Sequence, residues 1–215
     1  MKKRLAAVAA VCAAFVVLLT VLAFSEPSHS EQGVRLTRQP DGSMVLADKG
    51  GDAPVLDLYE DFDCPVCKEL HARVNATIMR LARAGEVKVV FHAVTVFEEE
   101  PSRSNSIRAA AAARCVPESN WLAFRDELYA MQPAPHGLVS GFGVEDLVKA
   151  ARKAGANVDQ CVTSQSYAET HLSAGGGASI DGTPTLLLDG RMLGNEAFDP
   201  ASLERLITGG PGISV

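Results

Sequence analysis

Across its 215 residues the chain is 47% hydrophobic, 21% charged and 6% aromatic, which excludes a disordered, collagen-like or low-complexity chain and suits one globular domain with room for an insertion. Its net charge is −6. With Lys2, Lys3 and Arg4 set apart at the start, 17 basic residues face 26 acidic ones in the rest, a charge of −9, and no basic stripe or Gly-rich phosphate loop appears, so a nucleic-acid partner is not expected.

Leu5 to Phe24 is a run of twenty uncharged residues that as a helix would measure about 30 Å, the thickness of the hydrocarbon core of a bilayer. Basic residues before it and acidic, polar ones after it (Ser25-Glu26-Pro27-Ser28) put the amino terminus in the cytoplasm and the rest of the chain outside the cell membrane. The run is longer than the apolar stretch of about 7–15 residues in a signal peptide, which favours a single-pass transmembrane helix over residues 5–24; cleavage near Ala23-Phe24-Ser25 is the alternative and would give a secreted domain. Cys12 lies inside this run and reads as an apolar, lipid-facing residue. Residues 1–24 are therefore anchor or signal peptide and 25–42 a tether.

The main fold is expected to open with a strand at Ser43 to Ala47. Val55 to Tyr59 and Val87 to Val94 are apolar runs of strand length. Between them Pro65 to Ala84 is free of glycine and further proline, and Val66, Leu70, Val74, Ile78 and Leu81 recur at helical spacing. This is a strand, helix, strand unit, hence an α/β protein. From 102 to 174 the pattern turns helical, with segments at Ile107 to Arg114, Trp121 to Met131 and Val144 to Ala154 punctuated by Pro117, by Pro133 to Gly137 and by Gly155. Strand signals return over 175–208 at Thr185 to Leu188, the Asp189-Gly190 turn and Arg191 to Leu193, with a last helix at Pro200 to Ile207. Residues 43–101 and 175–208 thus form one domain split by a helical insertion at 102–174, and 209–215 is a tail.

Cys64-Pro65-Val66-Cys67 stands directly after the first core strand and opens the first helix. Cysteines at i and i+3 across a first turn can close a disulfide with little backbone change, and the unpaired N–H groups there favour a thiolate on the first sulfur. Cys64 is expected to be an exposed nucleophile of lowered pKa and Cys67 the shielded resolving thiol. A zinc site would need a second ligand pair, which the spacing does not supply, and a structural disulfide across four residues would close too short a loop to stabilise much. No metal and no other cofactor is implied.

Asp61-Phe62-Asp63-Cys64-Pro65-Val66-Cys67 together with Gly182-Thr183-Pro184-Thr185 resembles the thioredoxin-fold thiol:disulfide oxidoreductases of the DsbA type, membrane-anchored bacterial members included, which carry a helical domain between these two motifs. The resemblance covers about residues 43 to 208. It implies a thioredoxin fold with an inserted helical domain behind the transmembrane helix, a catalytic pair Cys64 and Cys67, and a cis bond at Pro184, with Thr183 offering its backbone to a substrate peptide; an ordinary trans proline opening a strand is the alternative. The sequence departs from the family twice. Where members often hold a buried acid, six residues before the first cysteine, it has Leu58. Glu60, on the same strand face by alternation, is an auxiliary candidate for proton relay, although solvated charges flanking the motif are the simpler reading of Glu60, Asp61 and Asp63. Val66, next to Pro65, replaces the histidine that the strongest oxidants place between the cysteines, which implies a somewhat less oxidising couple.

Cys115 and Cys161 lie in the insertion and, in an oxidising compartment, are expected to pair and tie it together; two separate buried thiols are the alternative. Trp121, Phe124 and Leu128 read as core, and His92, His136 and His171 show no ligand spacing. An apolar rim of Phe62, Val66, Thr183 and Leu193 is expected around the dithiol. The function that follows is insertion of disulfides into exported proteins with free thiols, with reoxidation by a quinone-linked membrane protein of the DsbB or vitamin K epoxide reductase type. A reductase or isomerase on the same fold, or a non-catalytic binding or chaperone module, are the competing readings.

Overall fold

The computed structural model of the protein describes residues 33–48, 52–174 and 180–209. The expected membrane run, residues 25–32 of the tether and residues 210–215 of the tail lie outside them. No helix among the described residues is long and apolar enough to cross a membrane.

Six described strands form one mixed sheet in the order β1-β2-β4-β3-β5-β6: β1 (Arg35–Arg38), β2 (Met44–Ala47), β3 (Val55–Glu60), β4 (Lys88–Ala93), β5 (Thr185–Leu188) and β6 (Arg191–Met192). β3 and β4 pair in parallel, as a crossover helix between them requires, and β5 runs antiparallel to β3 from the opposite side. β1 falls in the stretch expected to be a tether. Its four residues, Arg-Leu-Thr-Arg, are too short and too polar to announce a strand, yet they suit a sheet edge, where charge discourages further pairing. Gly42, at φ 92, makes the tight turn from β1 to β2, with the Asp41 carboxylate accepting the Ser43 N–H at 2.9 Å. The Asp189-Gly190 turn joins β5 to β6 with both residues at positive φ (50 and 79), as a two-residue hairpin demands.

Helix α1 (Pro65–Arg83) is the crossover. Its buried stripe is Cys67, Leu70, Val74, Ile78 and Leu81; the stripe begins at Cys67, and Val66, expected on that face, points to solvent at 45% exposure. In the insertion α2 (Ser102–Cys115) starts five residues before the expected Ile107, with Asn105 and Ser106 buried and hydrogen-bonded to Asp63 and Asp61. Then follow α3 (Glu118–Ala130), α4 (Val144–Lys153), α5 (Asp159–Thr163) and α6 (Ala168–Ser173). Trp121, Phe124 and Leu128 of α3 join the same core as Leu56, Leu58 and Phe91 of the sheet. Phe91 and Trp121 pack ring to ring at 5.4 Å. Helix α7 (Pro200–Thr208) is capped by Asp199, which accepts the Ser202 N–H at 2.8 Å, and ends at Gly209 in the left-handed conformation.

A disulfide joins Cys115, the last residue of α2, to Cys161 in α5, closing a loop of 46 residues. In the chain-entropy account a loop of that length is worth about 4 kcal/mol. Replacing both cysteines by serine is expected to lower the unfolding midpoint by roughly 10 °C, measured by circular dichroism, while leaving the reactivity of Cys64 unchanged.

Candidate active site

The register of the sheet assembles the site. Strand β3 ends at Glu60 and delivers the chain to Asp61, whose side chain accepts the Asp63 N–H at 2.9 Å and whose carbonyl accepts the Cys64 N–H at 3.0 Å. This turn sets Cys64 as the residue that caps α1, in extended backbone, with Pro65 supplying a preformed first helical residue. On the neighbouring strand, Thr185 lies opposite Tyr59, which carries the preceding Thr183–Pro184 peptide, a cis bond, to the same end of the sheet. The Thr183 carbonyl oxygen lies 3.3 Å from the Cys64 sulfur and accepts its S–H. The loop is pinned by the Thr185 hydroxyl donating to the Gly182 carbonyl at 2.7 Å. From the insertion, the Gln132 amide donates to the carbonyls of both Phe62 and Cys64 at 2.9 Å.

Cys64 and Cys67 are free thiols. Cys64 is 5% exposed and Cys67 2%, so Cys64 is not the open surface thiol expected from the motif; the Thr183 loop, distant in sequence, roofs it. The Cys64 thiol is pushed down to about 6. The hydrogen bond from the Cys67 thiol contributes most, burial opposes it, and the Cys67 and Val66 N–H groups and Thr183 assist. Burial raises Cys67 strongly, and the charge on Cys64 adds to that. The pair therefore divides into one sulfur poised as thiolate and one held as thiol, the asymmetry a disulfide-exchange centre needs.

The acids before the motif are not solvated flanks. Glu60 is buried, and both its oxygens are occupied: Arg125 Nε and Nη2 donate to them at 2.6 Å each, and the Tyr129 hydroxyl donates at 2.8 Å. Burial works against the Arg125 charge, but Glu60 outweighs it and the guanidinium is held above its ordinary range. Arg125 also stacks over Phe91 at 4.8 Å. With its carboxylate engaged in this way, Glu60 anchors α3 to the end of β3 instead of standing free to relay a proton. Asp61 accepts from the Ser106 hydroxyl at 2.6 Å and the Val96 N–H at 3.0 Å, and burial nonetheless raises it to about 7. Asp63, fully buried and likewise raised by burial, accepts from the Asn105 amide at 3.3 Å and lies 3.3 Å from His136 Nε2. Of the expected rim, Val66 is exposed, Thr183 is half-buried, and Phe62 and Leu193 are buried. Phe62 turns inward because its ring packs edge-on against Tyr129 at 5.7 Å.

Arg125, Tyr129, Gln132 and His136 were not singled out as site residues by sequence reasoning. They lie on α3 and the loop after it, at roughly helical spacing, but nothing local marks that row as facing the dithiol.

Comparison with known proteins gives a consistent fold and chemistry. A family model described as Thioredoxin matches residues 50–208. Among solved structures, oxidised DsbA of Mycobacterium tuberculosis superposes with a TM-score of 0.66 at 26% identity, covering 82% of this chain and 91% of that one. The reduced disulfide bond oxidoreductase DsbG of the same organism gives 0.66 at 28%, covering 83% and 85%. MdbA, a thiol-disulfide oxidoreductase from Actinomyces oris, gives 0.67 at 23%, covering 79% and 88%, a likeness of fold. A search of the curated proteins found no match.

Two outcomes are expected. In the reduced protein, alkylation should label Cys64 with a midpoint near pH 6, its rate falling about tenfold per pH unit below that as the thiolate is protonated, while Cys67 stays unlabelled over the same range; mass spectrometry of the labelled peptides reads both. Arg125→Leu should leave the Glu60 carboxylate buried without its partner and cost about 3–5 kcal/mol in denaturant unfolding, and adding Glu60→Met should recover much of that loss.

Proposed function

Since the chain belongs to the thioredoxin family and is a protein-disulfide oxidoreductase of the DsbA type, we propose that it inserts disulfides into exported proteins through a redox pair formed by Cys64 and Cys67. The observation that carries this reading is the placement of one low-pKa sulfur at a helix start, against the Thr183 carbonyl, with its partner thiol shielded one turn behind.

In the oxidised enzyme a substrate thiolate attacks the Cys64 sulfur. The Cys64–Cys67 bond breaks, its electron pair leaves on Cys67, and Cys67 takes up a proton, as its buried, raised thiol favours. The substrate is now joined to Cys64 by a mixed disulfide. A second substrate thiolate attacks the substrate's own sulfur in that bond, and Cys64 departs as the thiolate stabilised by Cys67 and the N–H groups of the first turn. The substrate has lost two electrons and two protons, and the enzyme is left as the dithiol. Thr183 lies beside the reacting sulfur, so a substrate backbone paired with it in an extended conformation would bring its cysteine into line. Val66 is the exposed apolar contact next to the pair.

The dithiol needs a two-electron acceptor, which we assign to a quinone-linked membrane protein of the DsbB or vitamin K epoxide reductase type. The uncharged run from Leu5 to Phe24 would hold the enzyme at the membrane with its folded domain on the extracytoplasmic side, close to that acceptor and to emerging clients.

Cys67→Ala should accumulate mixed disulfides with client proteins at Cys64, separable on non-reducing gels and identifiable by mass spectrometry. The oxidised wild type should convert a reduced, unfolded multi-disulfide protein stoichiometrically, and Cys64→Ala should do neither. Retention of function by Cys64→Ala would identify a binding module, and failure to oxidise, with reduction of disulfides instead, would identify a reductase.

A further inference from the structure

On the insertion side of the sheet a cavity of about 230 Å³ opens between the β1–β2 turn, the ends of β3 and β4, and helices α2, α3 and α6, with Arg38, Arg114, Tyr59, His92, Trp121 and His171 in its walls. We propose that this cavity is a binding site for a small oxyanion, a phosphate or carboxylate group, gripped by Arg38 and Arg114. It plays no part in the disulfide chemistry described above.

The charge is the first argument. On a protein whose folded part is strongly acidic, two guanidinium groups share one cavity, and no described carboxylate lies within 4 Å of either in an ion pair. Their partners are backbone carbonyls. Arg38 Nη2 donates to Ala113 at 3.2 Å and to Val116 at 2.8 Å, and Arg114 Nη2 donates to the Asp41 carbonyl. The Nε and Nη1 groups of both arginines meet no acceptor among the described residues, so each guanidinium keeps charged N–H donors for an oxyanion beside the Nη2 that is held by the backbone. Burial lowers Arg38 and repulsion from Arg114 lowers it further, with Glu118 opposing, so an anion between the two guanidinium groups would offset that repulsion.

Two carboxylates offset part of this charge without an ion pair: Asp41, which accepts the N–H and hydroxyl of Ser43 at 2.9 and 2.8 Å, acts on Arg114, and Glu118, which accepts the Arg38 backbone N–H at 2.7 Å, acts on Arg38. His92 is paired with Asp57 at 2.8 Å. His171 contacts the Thr95 hydroxyl at 2.9 Å and is pushed down to about 4, by burial first and then by Arg114, so it is neutral at physiological pH.

The site is also rigidly built. Arg114 immediately precedes Cys115, whose disulfide fixes the end of α2. Its guanidinium packs over Gly42, which has no Cβ to obstruct it. The volume is below the roughly 300–1,000 Å³ of sites for drug-sized ligands, which limits the occupant to a small acid.

Trp121 is the single tryptophan of the chain and lines the cavity, so intrinsic fluorescence reports on this place. The full chain is titrated with inorganic phosphate and, separately, with citrate, each against sodium chloride at equal ionic strength. A saturable change with phosphate or citrate that chloride does not reproduce, weakened at least tenfold in Arg114→Gln, is the expected result, and the stronger of the two ligands tells a tetrahedral oxyanion from a carboxylate. Absence of a saturable change in the wild type, an equal change with chloride, or undiminished affinity in Arg114→Gln would overturn the proposal. Folding of the variant is checked by the Cys64 alkylation profile, and if that profile is lost the wild-type titration alone decides.

Discussion

Three carboxyl groups within four residues, Glu60, Asp61 and Asp63, leave water at the end of β3, and of the sheet domain's own described groups only the Asp63 and Val96 N–H, both donating to Asp61, receive them. A buried carboxylate without partners is far costlier than any single packing contact is favourable. The partners come from the insertion: Arg125 and Tyr129 for Glu60, Ser106 for Asp61, Asn105 and His136 for Asp63. The two parts of the molecule are therefore one folding unit, bound by charge as well as by the shared apolar core. The same contacts fix the segment that presents Cys64. The turn at Asp61 sets the start of α1, and Gln132 holds the carbonyls on either side of Asp63.

That arrangement shapes the chemistry of the dithiol. Negative charge at Asp61 and a thiolate at Cys64 oppose each other, and part of the upward displacement of Asp61 comes from that sulfur, after the larger effect of burial. The Cys64 thiolate consequently depends on hydrogen-bond donors, the Cys67 thiol and the first-turn N–H groups, because no cation among the described residues contributes to its stabilisation and the position after Pro65 is an exposed valine. A site tuned by donors and not by a neighbouring cation is less sensitive to salt, since its stabilising groups are short-range and shielded.

How far the sequence alone reveals this depends on the range of the interaction. The strand, helix, strand unit and the start of α1 at Pro65 were legible because periodicity and proline chemistry are local, and the two motifs around Cys64 and Pro184 carried the fold by resemblance. The burial of Cys64 was not legible, since its roof comes from a residue 119 positions away. Nor was that of Glu60, whose counter-ion lies 65 residues downstream on a helix that otherwise reads as an amphipathic core element. A run such as Glu-Asp-Phe-Asp looks solvated until its partners are known. Strand β1 escaped for a different reason: an edge strand of four residues needs no apolar pattern of its own when β2 beside it supplies one.

The span from Cys64 to its roof has a consequence for the timing of biogenesis. Synthesis runs from the amino terminus at about 5–20 residues per second, so the Cys64–Cys67 pair leaves the ribosome roughly 6–24 seconds before Thr183 and Pro184 follow. Throughout that interval the Thr183 carbonyl is not yet present to cover Cys64, and for about its first half Arg125 is not yet present either. The second pair, Cys115 and Cys161, is likewise complete in the chain before Thr183 is added, so the structural disulfide has both its partners before the roof over the redox pair exists.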